Sequence, residues 1–135
     1  MAPSIPLLLL LSIVPVLAIY ESSGPVPLLN PRTFDAQIRK SNRSSIVEFF
    51  APWFVASLCP RLTCRCGHCK TLAPTYTKAA EHMAGIFTFA AVDCDDQQNR
   101  GLCQEFGIQG FPTLKFMKSN MGKVDVTGTY HPLEM

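Results

Sequence analysis

The chain has 135 residues, which is room for one domain, and 47% of them are hydrophobic, which is enough for a packed core. A formal net charge of only +2 gives no indication of a nucleic-acid partner or a strongly acidic one. Internal repeats and low-complexity tracts are absent from the sequence.

Residues 1–18 are predicted to be a secretory signal peptide. Residues 5–17 are almost wholly apolar, and Ala18 completes the small-residue pattern of a cleavage site. The apolar stretch is too short to span a membrane comfortably and is interrupted by Pro15, although an uncleaved anchor remains the alternative. We therefore expect one mature domain, residues 19–135, in an oxidising compartment that suits its six cysteines.

The mature chain is predicted to begin with a weak strand and a short helix. Two prolines limit residues 20–29 to a short edge strand. Asn30 is then a predicted N-cap and Pro31 a first helical residue, with Phe34 and Ile38 on the apolar face.

A polar loop and a buried strand follow. The loop carries Asn42 in an Asn-x-Ser tripeptide, which predicts a glycosylation acceptor. Residues 45–53 predict a buried strand that contains Glu48. A buried carboxylate without a partner is costly and has a raised pKa. A glutamate on the solvent side of the strand is the alternative.

A C-x-x-C motif, Cys66 to Cys69, opens the next predicted helix, which has Leu72 and Tyr76 at helical spacing. The unpaired N–H groups and the positive dipole end of a helix N-terminus favour a thiolate, which is the species that attacks disulfides. The spacing also lets the two cysteines bond to each other. The same motif begins many zinc sites, so the spacing alone leaves that alternative open.

The rest of the chain predicts alternating strands and helices. Residues 86–93 predict a second buried strand, and residues 99–106 predict a helix that ends at Gly107. A turn through Pro112 leads into a third strand, and residues 123–127 are the expected antiparallel edge strand.

Three motifs, in this order, resemble the thioredoxin-like catalytic domain of the protein disulfide isomerase family. They are VEFFAPW at residues 47–53, CGHCK at residues 66–70 and GFPT at residues 110–113, and the resemblance runs from about residue 25 to about residue 126. The resemblance implies a thioredoxin-like α/β fold, with a central mixed sheet, helices on both faces and a right-handed crossover.

The resemblance also implies roles for the motif residues. Cys66 is the expected nucleophile that forms a mixed disulfide with substrate, and Cys69 is the shielded thiol that resolves it. His68 is expected to stabilise the Cys66 thiolate, and Gly67 to let the substrate backbone approach. Glu48 is expected to accept the proton of Cys69 through water.

Further implied features lie outside the C-x-x-C motif. Pro112 matches a cis proline whose backbone pairs with substrate, against the alternative of an ordinary trans turn proline. Trp53 matches the aromatic residue beside the cysteines. Cys94 and Cys103 match a structural disulfide of secreted members, against the alternative of two buried free thiols. Ala91 stands where members often carry a lysine that partners the buried glutamate.

The sequence departs from the family pattern in two places. Residues 54–65 read as an insertion between Trp53 and Cys66. The insertion adds Cys59 and Cys64, which places four thiols within eleven residues, where they would hold zinc or scramble disulfides. At the other end we expect the domain to lack the closing C-terminal helix of the family.

The function implied is thiol–disulfide exchange on unfolded or disulfide-containing proteins in the lumen of the endoplasmic reticulum. We expect no cofactor, no metal ligand, no nucleic-acid partner and no stable membrane span. Two alternatives stay open: a client-binding module whose catalysis is impaired, and a zinc-binding cysteine cluster.

Overall fold

The computed structural model describes residues 19–21, 23–52, 67–120 and 123–130. The helices in these ranges are α1 (Pro31–Phe34), which continues as a π-helical stretch (Asp35–Arg39), α2 (Gly67–His82), and α3 (Arg100–Glu105), which follows a 3₁₀ turn (Gln97–Asn99). The strands are β1 (Ser45–Phe50), β2 (Thr88–Asp93), β3 (Thr113–Asn120) and β4 (Lys123–Tyr130).

The four strands form one mixed sheet in the order β2-β1-β3-β4. Strands β1 and β2 are parallel, whereas β3 is antiparallel to both β1 and β4. Parallel neighbours need a crossover connection, and α2 lies in the segment that joins β1 to β2. The predicted mixed sheet, with β4 as its antiparallel edge strand, is therefore confirmed.

Helices cover both faces of this sheet. Successive side chains of β1 point to opposite faces and are buried on both, so each face needs a covering layer. We call the layer under α2 the α2 layer; its buried members are Tyr20, Val26, Phe50, Cys69, Ala73, Tyr76, Ala80, Phe89 and Ala91. The opposite layer packs α1 and α3 on the sheet, with Leu29, Phe34, Ile38, Val47, Phe49, Ala90, Val92, Leu102, Cys103 and Met117.

The start of α1 follows the sequence prediction. The Asn30 side chain accepts a hydrogen bond from the Thr33 backbone N–H at 2.9 Å, and the Thr33 hydroxyl accepts one from the Asn30 N–H at 2.8 Å. This reciprocal capping box satisfies two donors that a helix start leaves unpaired. Pro31 occupies the first turn, and Phe34 and Ile38 are buried.

The short edge strand predicted within residues 20–29 is reduced to one bridge. Its pairing with the sheet is a single parallel bridge between Leu28 and Ala91. Two backbone hydrogen bonds make that bridge, from the Leu29 N–H to the Ala91 carbonyl at 2.8 Å and from the Ala91 N–H to the Pro27 carbonyl at 3.0 Å. The prolines in this segment have no N–H to donate, so a longer ladder does not form.

The second strand begins later than predicted, at Thr88 instead of residue 86. The N–H groups of Ile86 and Phe87 both donate to the Met83 carbonyl, at 3.0 and 3.2 Å, and so close the end of α2. Gly85 adopts a φ of 88° in this turn, which glycine reaches without steric cost. As a result Ile86 is 66% exposed, although its apolar character suggested a strand.

The predicted disulfide between Cys94 and Cys103 is present, with an S–S distance of 2.05 Å. It ties the segment after β2 to α3, and it rules out the alternative of two free thiols. The helix ends as predicted, because Gly107 follows it with a φ of 63°.

Several predictions fall outside the described residues. These are the signal peptide at residues 1–18, the insertion at residues 54–65, and the expected lack of a closing helix after Tyr130. In the described ranges, no helix combines the length and the apolar character needed to cross a membrane.

Candidate active site

Glu48 is fully buried near the centre of the sheet. It pairs in register with Ala91 on β2 and with Leu114 on β3. Strand alternation places it on the same side as Ile46 and Phe50, which is the side of the α2 layer. Its exposure is 0%, so the alternative of a glutamate that faces solvent is excluded.

The partner of Glu48 comes from the N-terminal segment. The Tyr20 hydroxyl donates a hydrogen bond to Glu48 Oε2, and both residues are buried. The second carboxylate oxygen, Oε1, is buried and has no hydrogen-bond partner among the described residues. The carboxylate therefore has one oxygen held and one oxygen available as an acceptor.

Burial raises the pKa of Glu48 to about 7, because the charged form loses its hydration, while the hydrogen bond from Tyr20 acts in the opposite direction. No ion pair within the described residues involves Glu48. Its register partner on β2 is the uncharged Ala91, as the sequence predicted. A carboxyl group that titrates near neutral pH is suited to both accepting and releasing a proton.

Helix α2 begins at Gly67, so Cys69 lies in its first turn. Cys69 is 0% exposed and is disulfide-bonded, with a partner cysteine outside the described residues. His68 beside it is exposed. The predicted nucleophile Cys66, which directly precedes the helix, and the predicted aromatic Trp53 both lie outside the described residues.

The structure brings Cys69 and Glu48 into the same buried layer. Cys69 packs from α2 into the cluster that contains Tyr20 and Phe50, and Glu48 faces that layer from β1. Tyr20 thus contacts the carboxylate and belongs to the same cluster as Cys69. Both side chains are buried, whereas the roles of Cys69 as resolving thiol and Glu48 as proton acceptor stay predictions.

A second tyrosine, Tyr76, fixes α2 to the sheet at this point. Its hydroxyl lies 2.7 Å from the Ile46 carbonyl and 3.0 Å from the Ala90 carbonyl, to which it donates. Its ring packs edge-on against Tyr20, with centroids 6.2 Å apart, and against Phe89 at 5.2 Å. Burial raises the pKa of Tyr76, so the hydroxyl stays a proton donor.

The turn before β3 contains a cis peptide bond between Phe111 and Pro112, so the trans alternative is excluded. Pro112 and the following Thr113 are buried. The Thr113 hydroxyl donates to the Gly110 carbonyl at 2.7 Å and closes the turn. Thr113 pairs in register with Phe49, so this turn lies at the same end of the sheet as the end of β1.

Sequence reasoning did not identify Tyr20 as part of the site. It lies 28 residues before Glu48, in a segment whose only clear signal was its prolines. The missed signal was the unpartnered carboxylate, because a buried glutamate opposite Ala91 requires a donor from elsewhere in the chain.

Comparison with known proteins agrees with this geometry. A family model described as thioredoxin matches residues 25–134. The chain is 41% identical over 95 residues to protein disulfide-isomerase MPD1 of Saccharomyces cerevisiae, which covers 70% of this chain and 26% of that protein. It is 37% identical over 121 residues to protein disulfide-isomerase A3 of Gallus gallus, covering 90% and 20%. The chain thus spans about a quarter or less of these relatives.

Solved structures show the same fold. The long form of thioredoxin f from spinach chloroplast superposes with a TM-score of 0.60 at 30% identity, covering 78% of this chain and 73% of that one. The Trx4 domain of ERdj5 gives a TM-score of 0.60 at 24% identity, covering 76% and 79%, and supports the fold alone. With a mixed sheet between two helical layers, a buried cysteine at the start of α2 and a matching family model, the chain belongs to the thioredoxin family.

Proposed function

We propose that the chain is a thiol–disulfide oxidoreductase that acts on protein disulfides. The observation that carries the proposal is the placement of a fully buried Cys69, in the first turn of α2, in one layer with a buried Glu48 that titrates near neutral pH. The relatives named protein disulfide-isomerase support the same reaction class.

The first step of the proposed reaction belongs to Cys66. As a thiolate at the helix N-terminus, with His68 beside it, Cys66 attacks one sulfur of a substrate disulfide. A mixed disulfide forms between Cys66 and that sulfur, and the other substrate sulfur leaves as a thiolate. His68 is exposed, so its ring is accessible to solvent.

The second step belongs to Cys69 and Glu48. The Cys69 thiol passes its proton through water to the Glu48 carboxylate, and the resulting thiolate attacks the Cys66 sulfur. The Cys66–Cys69 disulfide forms, and the remaining substrate sulfur leaves as a thiolate. Two electrons have then moved from the cysteine pair to the substrate, and the reverse sequence oxidises a substrate dithiol.

The substrate is expected to lie along the turn before β3. Pro112 is buried, whereas Gly110 and Phe111 just before it are partly exposed. A bound peptide would therefore meet the backbone of this turn, with Gly67 allowing close approach from α2. Trp53 is the proposed aromatic neighbour of the bound segment.

We further propose that the protein works in the secretory pathway, in the lumen of the endoplasmic reticulum. The Cys94–Cys103 disulfide supports this proposal, because structural disulfides persist in oxidising compartments. Removal of residues 1–18 as a signal peptide would leave a single domain over residues 19–135. Asn42 is exposed in the loop before β1, as a glycosylation acceptor must be.

The test is catalysis of insulin reduction and of oxidative refolding of a reduced, disulfide-dependent protein by the purified full chain. We expect both reactions to run faster than the background with free thiol, and the double variant Cys66→Ser/Cys69→Ser to return them to background. Client binding without either activity would favour the client-binding module. One equivalent of zinc retained after purification under reducing conditions would favour the cysteine cluster.

A further inference from the structure

The Tyr20–Glu48 hydrogen bond joins the N-terminal segment to the buried carboxylate of β1. Tyr20 is 4% exposed, and its ring packs edge-on against Phe50 with centroids 5.7 Å apart. Its ring also packs against Tyr76. These contacts fix the ring, so the hydroxyl is held in place against Glu48 Oε2.

Among the sheet side chains that the structure describes, no other charged or titratable group competes for this carboxylate. Its register neighbours, Ala91 on β2 and Leu114 on β3, carry no charge. From α2 the groups that face this layer are the Tyr76 hydroxyl, which donates to backbone carbonyls, and Cys69. Among the described residues, Tyr20 is therefore the side chain that donates to Glu48.

We propose that Tyr20 is a positioning residue for proton transfer at Cys69: its hydroxyl holds Glu48 Oε2, so that Oε1 is left to accept the proton. The orientation matters because a proton acceptor acts only when its oxygen lies within hydrogen-bond reach of the donor or of one bridging water. This inference rests on the proposed function.

The same hydrogen bond keeps Glu48 ionisable in the pH range where the reaction runs. A donor to the charged form of a carboxylate favours that form, whereas burial disfavours it. Without the hydroxyl, burial acts unopposed and the carboxyl keeps its proton to higher pH. A protonated Glu48 accepts nothing from Cys69, so the resolving step stops.

The experiment compares Tyr20→Phe with a matched control, Tyr76→Phe. Both variants remove one buried hydroxyl from the same ring cluster and keep the ring. The Tyr76 hydroxyl bonds to the Ile46 and Ala90 carbonyls instead of the carboxylate. A loss that merely reflects looser packing is therefore expected in both variants, whereas a change in Glu48 is expected only in Tyr20→Phe.

Two quantities are measured on the full chain against pH. The first is the titration midpoint of Glu48, followed by NMR with ¹³C-labelled glutamate and assigned by the signal absent from Glu48→Gln. The second is the rate at which the second substrate thiol leaves the mixed disulfide with Cys66, followed after the reduced chain is rapidly mixed with a fluorogenic disulfide peptide. In Tyr20→Phe we expect the midpoint to rise by about one pH unit. The release rate should fall about fivefold at neutral pH and recover at alkaline pH, because the ionised fraction falls by about that factor.

The outcomes separate this proposal from the one it rests on. An unchanged Glu48 midpoint in Tyr20→Phe, or an equal shift in Tyr76→Phe, would overturn the assignment of Tyr20. A shifted midpoint with an unchanged release rate would overturn its role in the reaction. If the wild-type chain releases no substrate at any pH, the proposed function fails, and the carboxyl titration still decides whether Tyr20 controls Glu48.

Discussion

Folded wild-type protein should lose about 3 kcal/mol of stability between pH 4.5 and about pH 7 through the titration of Glu48, and replacing Glu48 with glutamine should remove this loss. Burial raises the pKa of Glu48 from 4.5 to about 7, so the folded state holds the proton more tightly than the unfolded state does. The unfolded chain releases this proton near pH 4.5, whereas the folded protein keeps it to about pH 7.

The sign follows from where the proton is held. Below pH 4.5 the residue is protonated in both states and its contribution to folding is fully present. As the pH rises towards 7, only the folded state keeps the proton, and the stability advantage of that state is lost progressively. Above that range the destabilisation stays constant. Glutamine does not titrate, so the variant should not show this loss of stability as the pH rises.

The measurement is the free energy of unfolding from urea titrations across this pH range, with the disulfides kept oxidised. The matched control is Glu81→Gln, which makes the same chemical change at an exposed position of α2. The free energy of unfolding of the wild-type protein minus that of Glu48→Gln should fall as the pH rises. Parallel curves for these two proteins would mean that Glu48 is not buried as a raised-pKa carboxyl.

The same variant should be slower as an enzyme, which gives a second readout. Release of trapped substrate requires Cys69 to lose its proton, whereas attack depends on Cys66. Glu48→Gln should therefore slow release more than initial attack. We therefore expect the variant to be more stable and less active than the wild type at alkaline pH. This combination is expected when a buried charge that destabilises the fold serves catalysis.

Deleting residues 54–65 should raise oxidoreductase activity about tenfold or more, which corresponds to about 1.4 kcal/mol of barrier. Strand β1 ends at Phe50 and α2 begins at Gly67, so the inserted residues lie in the connection that leads into the C-x-x-C motif. The deletion restores Trp53 next to Cys66.

The fold itself should tolerate the insertion, because a doubling of loop length costs only about 0.6 kcal/mol of closure entropy. A second contribution comes from Cys59 and Cys64, since either thiol can capture Cys66 in an internal disulfide. Changing these two cysteines to serine should therefore recover only part of the gain.

Insulin reduction by the deletion variant, the double serine variant and the wild-type chain measures both contributions. Equal thermal stability of the three proteins is the control for altered folding. Unchanged or lower activity after deletion would show that residues 54–65 are not an obstruction. The segment would then have to be treated as a functional element, and zinc binding would be examined next.

The parts of the fold predicted from sequence are those set by neighbouring residues. Asn30 and Pro31 specify a helix start locally, and Gly107 specifies a helix end. The burial of Glu48 followed from the apolar run around it, and the Cys94–Cys103 disulfide followed from the family resemblance.

The parts that were missed depend on contacts across the chain or on backbone competition. Ile86 is apolar and next to a strand, but its N–H closes the end of α2 instead of pairing in the sheet. Leu28 pairs through a single bridge, because the prolines around it lack donors. Tyr20 reaches Glu48 across 28 residues, and a local pattern carries no information about such a contact.

The most direct test of the account is mixed-disulfide trapping with the two cysteines of the motif, in a background where Cys59 and Cys64 are serine. In the Cys69→Ala variant we expect a substrate peptide to accumulate as a covalent adduct on Cys66, identified by mass spectrometry of tryptic fragments. In the Cys66→Ser variant we expect no adduct, because the remaining thiol is fully buried. An adduct that forms equally in both variants, or in neither, would contradict the assignment of Cys66 as nucleophile and Cys69 as resolving thiol.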